Sequence, residues 1–332
     1  MKRLGMAVFA ASVMHASIAH SQSVAIELAQ TGGYSTEDVA AIATQLRAFG
    51  ELTPARLRFN VEVAWAARSA EGTDVFGAAY PYDAGVQLIE AYGERTFLPG
   101  RGLFGLKVGR YRTPFGISSG SDHAYNGFLR APLIRYDGYF ALSNNFLEQG
   151  VDVVAGTPRL ALEASVGVPG DAGHTKRRSG IDKVVRGQGA LGPMIIGVSY
   201  IDTRPYQSPA FAQGHAVFTG LDVRWMQHGV QMRGEWISGR PFDGTTTNGG
   251  YVDAIVHRPG MGRVTAVGRA ERLAYEAPRP FALMAQRYSA GTRIRLFDRL
   301  SAEIALVHHT RQLPQRRPTA LDFGLTYSLR RD

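Results

Sequence analysis

Arg56-Leu57-Arg58-Phe59-Asn60-Val61-Glu62-Val63-Ala64-Trp65 alternates along its whole length. Leu57, Phe59, Val61, Val63 and Trp65 share one parity, and Arg56, Arg58, Asn60 and Glu62 the other. Successive side chains of a strand point to opposite faces, so one face suits lipid and the other water. A strand of a soluble sheet averages about 5–6 residues, whereas one that crosses hydrocarbon in a barrel needs about 9–11. The length of the run therefore predicts an all-β transmembrane antiparallel up-and-down β-barrel.

The same reading continues through the chain. Fourteen candidate strands fall near residues 55–67, 85–97, 102–113, 147–156, 159–168, 180–191, 194–202, 216–227, 230–239, 250–258, 263–275, 286–297, 300–310 and 320–330, with sixteen as the larger alternative. Their connections alternate. Leu98 to Arg101, Thr157 with Pro158, Gly192 with Pro193, Gln227 to Gly229, Pro259 to Gly262 and Asp298 with Arg299 are short, and those between them are longer. In outer-membrane barrels short turns face the periplasm and long loops face outside. A β-sandwich has no reason to sort its connections in this way.

Charge fixes which face is which, because an Arg at the lipid midplane costs about 2–4 kcal/mol. Val217, Thr219, Leu221, Val223 and Trp225 are thus assigned to lipid, and Phe218, Gly220, Asp222 and Arg224 to the lumen. Likewise Val230, Met232, Gly234 and Trp236 face out over lumenal Gln231, Arg233 and Glu235, and Ile294 and Leu296 over Arg293 and Arg295. The last strand alternates as well and is expected to close the barrel against the first. Two stretches blur the period: Leu88 to Tyr92, and Arg263 to Leu273, where both parities are comparably apolar. A bulge would explain either.

Three divisions follow. Residues 1–21 read as a signal peptide: Lys2 and Arg3, an apolar run from Leu4 to Met14, and Ala19 and Ser21 placed for cleavage. A transmembrane anchor would need about 20 apolar residues, and His15 and His20 interrupt this one. Residues 22–53 read as a periplasmic segment, with a short helix over Ser35 to Phe49 from the spacing of Val39, Ile42, Ala43 and Leu46. Residues 54–332 are the barrel, and the long connection 114–146 is the candidate to fold into the pore.

No later stretch offers the 18 apolar residues of a membrane helix. The chain has no cysteine, which excludes disulfides and thiolate metal sites. Its formal charge of +9 becomes +7 without Lys2 and Arg3, and four Lys stand against an excess of Arg. These arginines are scattered along alternating segments, so a nucleic-acid surface is not indicated. His308 and His309 are adjacent, which sends them to opposite faces and suits no single metal. Gly197-Val198-Ser199 lacks the glycine-flanked serine of a hydrolase elbow, and no other catalytic motif or cofactor-binding loop is present.

The function this supports is a passive outer-membrane diffusion channel for small solutes, preferring anions, and not an enzyme. Lumenal arginines favour anions by replacing part of their hydration shell. Parity nominates Arg56, Arg58, Arg224, Arg233, Arg293 and Arg295, and the long loop adds Arg130 and Arg135 beside Asp122 and Asp137. Glu62, Asp152, Glu163, Asp222, Glu235 and Glu303 are available to neutralise them as wall salt bridges. Lys176-Arg177-Arg178 falls in an outer loop, facing solvent or lipopolysaccharide phosphate, and Arg330 and Arg331 lie at the periplasmic rim. The alternatives are a structural or adhesive barrel plugged by 114–146, and a sugar or dicarboxylate pore lined by aromatics such as Tyr111 and Phe218.

Gly109-Arg110-Tyr111-Arg112-Thr113-Pro114-Phe115-Gly116 resembles a motif of the phosphate-selective porin O and P family. Phe128-Leu129-Arg130, Gly150-Val151-Asp152-Val153, Gly234-Glu235-Trp236-Ile237, Gly249-Gly250-Tyr251-Val252 and Arg269-Ala270-Glu271 resemble later motifs in the same order. The resemblance implies a homotrimeric channel for small anions such as phosphate, narrowed by an inward loop, with Arg112 joining the pore-lining candidates. The chain departs from that pattern in being short, in its few lysines, and in ending Leu329 to Asp332 without an aromatic residue.

Overall fold

The computed structural model describes residues 22–52, 57–69, 85–98, 102–117, 130–135, 147–169, 181–203, 216–240, 246–257, 260–276, 283–311 and 318–331. Sixteen antiparallel strands close into one barrel, each paired with its sequence neighbours and the last with the first. They are β1 (Gln22–Ser35), β2 (Val39–Leu52), β3 (Leu57–Arg68), β4 (Gln87–Phe97), β5 (Leu103–Arg112), β6 (Leu147–Gly156), β7 (Leu160–Pro169) and β8 (Asp182–Leu191). The other half comprises β9 (Met194–Thr203), β10 (Ala216–Gln227), β11 (Val230–Arg240), β12 (Thr246–Val256), β13 (Val264–Glu276), β14 (Leu283–Phe297), β15 (Leu300–Arg311) and β16 (Thr319–Arg331). Closure leaves no unpaired edge, which hydrocarbon requires.

All fourteen expected strands are present, as β3 to β16. The two additional strands correct the reading of 22–53. Ser35 to Phe49 is not a helix: β2 pairs with β1 from Gln22↔Leu52 to Ser35↔Val39 and with β3 from Ala41↔Arg68 to Leu52↔Leu57. Local helical spacing in an alanine-rich stretch yields to two complete ladders, because hydrogen bonding to both neighbours outweighs a weak intrinsic preference. Consequently β16 closes against β1, from Ile26↔Arg331 to Ser35↔Asp322, and not against the strand beginning near residue 55. The signal-peptide assignment, 1–21, lies outside the described residues.

The faces divide as charge demands. Val61, Val151, Leu221, Trp236 and Leu325 are exposed on the outer wall, while Glu62, Asp152, Asp222, Glu235 and Asp322 are buried on the inner one. The blurred stretch in β4 is a register shift: Glu62 opposes Glu90 and Val63 opposes Leu88, leaving Ile89 as the extra, fully buried residue. No shift interrupts the pairing of β13 with either neighbour. Its ambiguity arises because its outward residues Ala266, Gly268 and Ala270 are as small and apolar as a packed inner row.

Gly109 in β5 has φ +133°, and a Cβ there would sit 2.3 Å from the Ala91 carbonyl oxygen and 2.8 Å from Tyr92 Cα. Only glycine permits β4 and β5 to approach so closely. Gly109→Ala is expected to cost about 1–3 kcal/mol, read as a lower unfolding midpoint in denaturant than that of Gly105→Ala. The Cβ of the latter meets only the tip of the Val154 side chain.

Candidate functional site: the lumen and its inward loop

Two pieces of the connection from β5 to β6, 113–117 and 130–135, are described, and both contact inward-facing residues of the barrel wall. In the first, the Phe115 N–H donates to Thr113 O (2.8 Å), and the Phe115 ring is fully buried over Gly220 of β10, where a Cβ would stand 3.1 Å from Phe115 Cζ. Gly116 turns the chain at φ +63°. Its N–H donates to Ser199 Oγ (3.1 Å), and its carbonyl accepts from Arg186 Nη1 (2.7 Å). Arg186 is itself held by Asp222 at 2.7 Å.

The second described piece, 130–135, lies across the lumen and ends in a 3-10 turn, Leu133–Arg135. Arg130 reaches three groups near the long-loop end. Its Nε lies 2.6 Å from Asp322 Oδ2 of β16, Nη2 2.8 Å from Glu37 Oε2 between β1 and β2, and Nη2 3.1 Å from Ser35 Oγ. The backbone is fastened too. Arg269 Nη1 donates to Arg130 O (2.9 Å), Arg287 Nη2 to Ala131 O, and the Leu133 N–H to Glu271 Oε2 (2.7 Å). Leu133 and Ile134 then pack with Phe115 against Phe218, Ile237, Tyr251 and Leu273 of the wall. This apolar cluster fills the β8 to β14 side of the barrel, while Ala131 packs in a second one with Ala43, Ala64, Ala66, Ile89 and Leu147 of β2, β3, β4 and β6.

The opposite side, β1 to β5, keeps two adjoining cavities among the described residues. One, of about 390 Å³, is lined by Glu27, Arg47, Glu62, Glu90, Tyr92, Lys107, Tyr111 and Arg112. The other, of about 630 Å³ toward the short-turn end, is lined by Arg47, Phe49, Glu51, Arg58, Tyr92, Glu94 and Arg330. Arg47 and Tyr92 belong to both and mark the junction.

Ion pairs divide the cations into committed and available ones. Arg112 lies 2.8 Å from Glu62 and 4.0 Å from Glu90, and Lys107 lies 2.8 Å from Asp152 and 3.9 Å from Glu163. Arg233 and Arg269 share Asp253 at 2.7 and 2.6 Å, Arg287 holds Glu271 at 2.7 Å, and Arg293 holds Glu303 at 2.7 Å. Arg47 differs. Its Nε donates to Asn60 Oδ1 (2.6 Å) and its guanidinium lies 4.7 Å from the Phe49 ring centroid, with no carboxylate ion pair among the described residues. Phe49 also receives Arg330 at 5.3 Å. Such stacking leaves the guanidinium charge uncompensated.

The residues nominated from sequence separate accordingly. Arg58 is exposed in the larger cavity, 3.7 Å from Glu51, and Arg112 lines the smaller one. Arg224 Nη2 donates to Gln188 Oε1 (2.5 Å), and Arg295 is exposed near the short-turn end. Arg293 is partly buried on Glu303, while Arg130 and Arg233 are buried in wall and loop anchors. Arg56, most of loop 114–146 and Lys176-Arg177-Arg178 lie outside the described residues, as does the Arg135 side chain. The acidic partners expected at Glu62, Asp152, Glu163, Asp222 and Glu303 all pair with cations, and Glu235 accepts from the Tyr251 hydroxyl (3.2 Å). Sequence reasoning missed Arg47 because β2 was read as a helix. It missed Lys107, Tyr92 and Arg330 as lumenal groups, although the parity of β4, β5 and β16 carried the signal.

His308 is exposed and His309 buried, on opposite faces as adjacency dictates.

No family model and no curated protein sequence matches the chain. Solved structures do. An anion-selective porin from Comamonas acidovorans aligns at 11% identity over 93% of this chain and 100% of its own, with a TM-score of 0.61. OprB of Pseudomonas putida aligns at 9% identity over 93% and 94%, with a TM-score of 0.60. OmpT of Vibrio cholerae, in its trimer form, aligns at 9% identity over 94% and 99%, with a TM-score of 0.59. At such identities the likeness is one of fold: this chain is built as a porin-type barrel.

Proposed function

We propose that this protein is an outer-membrane porin: a passive diffusion channel for small hydrated solutes with a mild preference for anions. The observation that carries the reading is the pair of cavities along β1 to β5, joined at Arg47 and Tyr92, with the piece 130–134 packed against the wall toward the long-loop end. The fold it shares with an anion-selective porin supports the same reading. Short turns then face the periplasm, and residues 1–21 serve as the export signal. A trimer is the proposed assembly, supported by the trimer form of one structural neighbour.

The preference is mild because most lumenal cations are matched. The smaller cavity carries Arg47, Lys107 and Arg112 against Glu27, Glu62 and Glu90, and the larger carries Arg47, Arg58 and Arg330 against Glu51 and Glu94. A solute moving through meets Arg47, which has no carboxylate ion pair among the described residues, at the junction between Lys107 and Arg112 on one side and Arg58 and Arg330 on the other. This favours small anions in general over tight binding of phosphate. Millimolar phosphate is therefore expected to leave chloride current nearly unchanged, and block at that level would reassign the pore to phosphate selection. Arg112→Ala, which uncovers Glu62 and Glu90, is expected to lower the anion-to-cation permeability ratio by about twofold, read from reversal potentials in a potassium chloride gradient.

A further inference from the structure

The outer wall holds a feature the channel does not use. On β13 the outward residues run Arg272, Ala270, Gly268, Ala266, from the long-loop end inward, with every pairing to β12 and β14 in register. At the level of Arg272 the neighbours are Gly250 and Gln286, and one step further in Ala270 lies between Val252 and Tyr288. An outward groove of about 520 Å³ crosses the strands here, its floor formed by Gly234, Gly250 and Ala270, with Leu221 and Val223 of β10 at one side and Tyr288 of β14 at the other. Gly250 is required there, because a Cβ would stand 2.7 Å from Trp236 Cε3 and 2.4 Å from the Glu235 carbonyl oxygen.

Arg272 is exposed at the head of this trough, and no carboxylate pairs with it among the described residues. Four residues from the long-loop end of β13, a cation on the lipid face costs far less than at the midplane and stands at the level of charged headgroups. A second copy is poorly suited. Among the described outward positions of the strands the acids are Asp202 and Glu276, both at long-loop ends, and Asp202 stands opposite Lys183 in the ladder. A phosphoryl headgroup suits the site, since guanidinium binds phosphate bidentately. From Arg272 and Ala270 the groove runs across Gly250 and Gly234 to Leu221 and Val223, an apolar trough for an acyl chain, with Trp236 and Tyr288 beside it as interfacial aromatics.

We propose that this groove binds one phosphorylated lipid of the outer leaflet, its phosphate on Arg272 and Gln286 and a chain lying over Ala270 and Gly250. This rests on the outer-membrane reading above, but not on the pore being open. The test is native mass spectrometry of the full-length exported protein, purified in mild detergent and incubated with diphosphoryl lipid A or with phosphatidylethanolamine. One lipid A per barrel is expected to be retained in preference to phosphatidylethanolamine. Arg272→Ala is expected to reduce retention on the order of tenfold, and Ala270→Trp, which fills the trough but keeps the charge, is expected to reduce it as well.

Equal retention by Arg272→Ala would overturn the proposal. So would displacement by millimolar inorganic phosphate, which would leave an anion site without a lipid, or a change of oligomeric state with lipid unaffected, which would make the groove a contact between copies. Arg272 faces away from the lumen, so conductance of the same variants is expected to match the unsubstituted protein. A silent channel that still retains lipid A would remove the porin reading and leave this one standing.

Discussion

Arg130→Ala is expected to raise single-channel conductance, broaden its noise, and cost the barrel about 3–5 kcal/mol in denaturant unfolding. One guanidinium holds Asp322 at 2.6 Å, Glu37 at 2.8 Å and Ser35 at 3.1 Å, joining the loop to the seam where β16 meets β1. Removing it leaves two carboxylates facing each other in a nearly dry site, a greater penalty than the loss of one hydrogen bond. The piece 130–134 then keeps Leu133 and Ile134 in one apolar cluster and Ala131 in the other but loses its ionic tie to the seam of β16 and β1, so its hold over the space along β1 to β5 loosens. Asp322→Asn, which keeps one of the two acceptors facing Arg130 and leaves Glu37 to balance the charge, is expected to show a smaller change in both readings. An unchanged conductance in Arg130→Ala would mean that this contact does not set the width of the channel.

Arg47→Glu is expected to turn the mild anion preference into a cation preference. The substitution moves the local charge by two units at the junction of both cavities, where Glu27, Glu62 and Glu90 already stand opposite. At a separation near 4 Å and an effective dielectric of about 20, each unit of charge interacts with a permeant ion by about 4 kcal/mol before screening, so even a strongly screened remainder reverses the ratio. Arg47→Ala should remove the preference without inverting it. Arg233→Ala is the contrasting case. That guanidinium is buried on Asp253, so its loss should appear in stability first and in selectivity little.

The two experiments bear on residues of unequal legibility. The barrel itself was readable wherever strands alternate cleanly: β10, β11 and β16 place Asp222, Arg233 and Asp322 on the lumenal face as parity requires. Parity assigns a face but not a partner. Arg233 meets Asp253 because β11 and β12 are in register there, and Arg130 meets Asp322 across 192 residues of chain. Neither pairing has a local signature, so the sequence alone does not separate Arg130 and Arg233, buried on carboxylates, from Arg58, which is exposed. Strands β1 and β2 were hidden for another reason. Val39, Ala43 and Arg47 are lumenal at even spacing, but the alanines between them also satisfy a helix, and only pairing along both edges decides. Arg47 was lost with that strand.

The contacts of the two described pieces of the long connection had no signature in its length. Phe115 needs the missing side chain of Gly220, and Ile134 nestles against Gly249, complementarities that no spacing rule reveals. The blurred period of β13 was legible as an anomaly and misassigned as a bulge. Its cause is the small-residue groove beneath Arg272.

The measurement that bears most directly on the channel is the current and reversal potential of the refolded protein, without residues 1–21, in a planar bilayer under a potassium chloride gradient. The account requires stable open-channel steps and a reversal potential displaced modestly toward the chloride equilibrium value. A silent barrel would contradict it and favour a lumen plugged by residues 114–146, and steady cation preference would contradict the role given to Arg47.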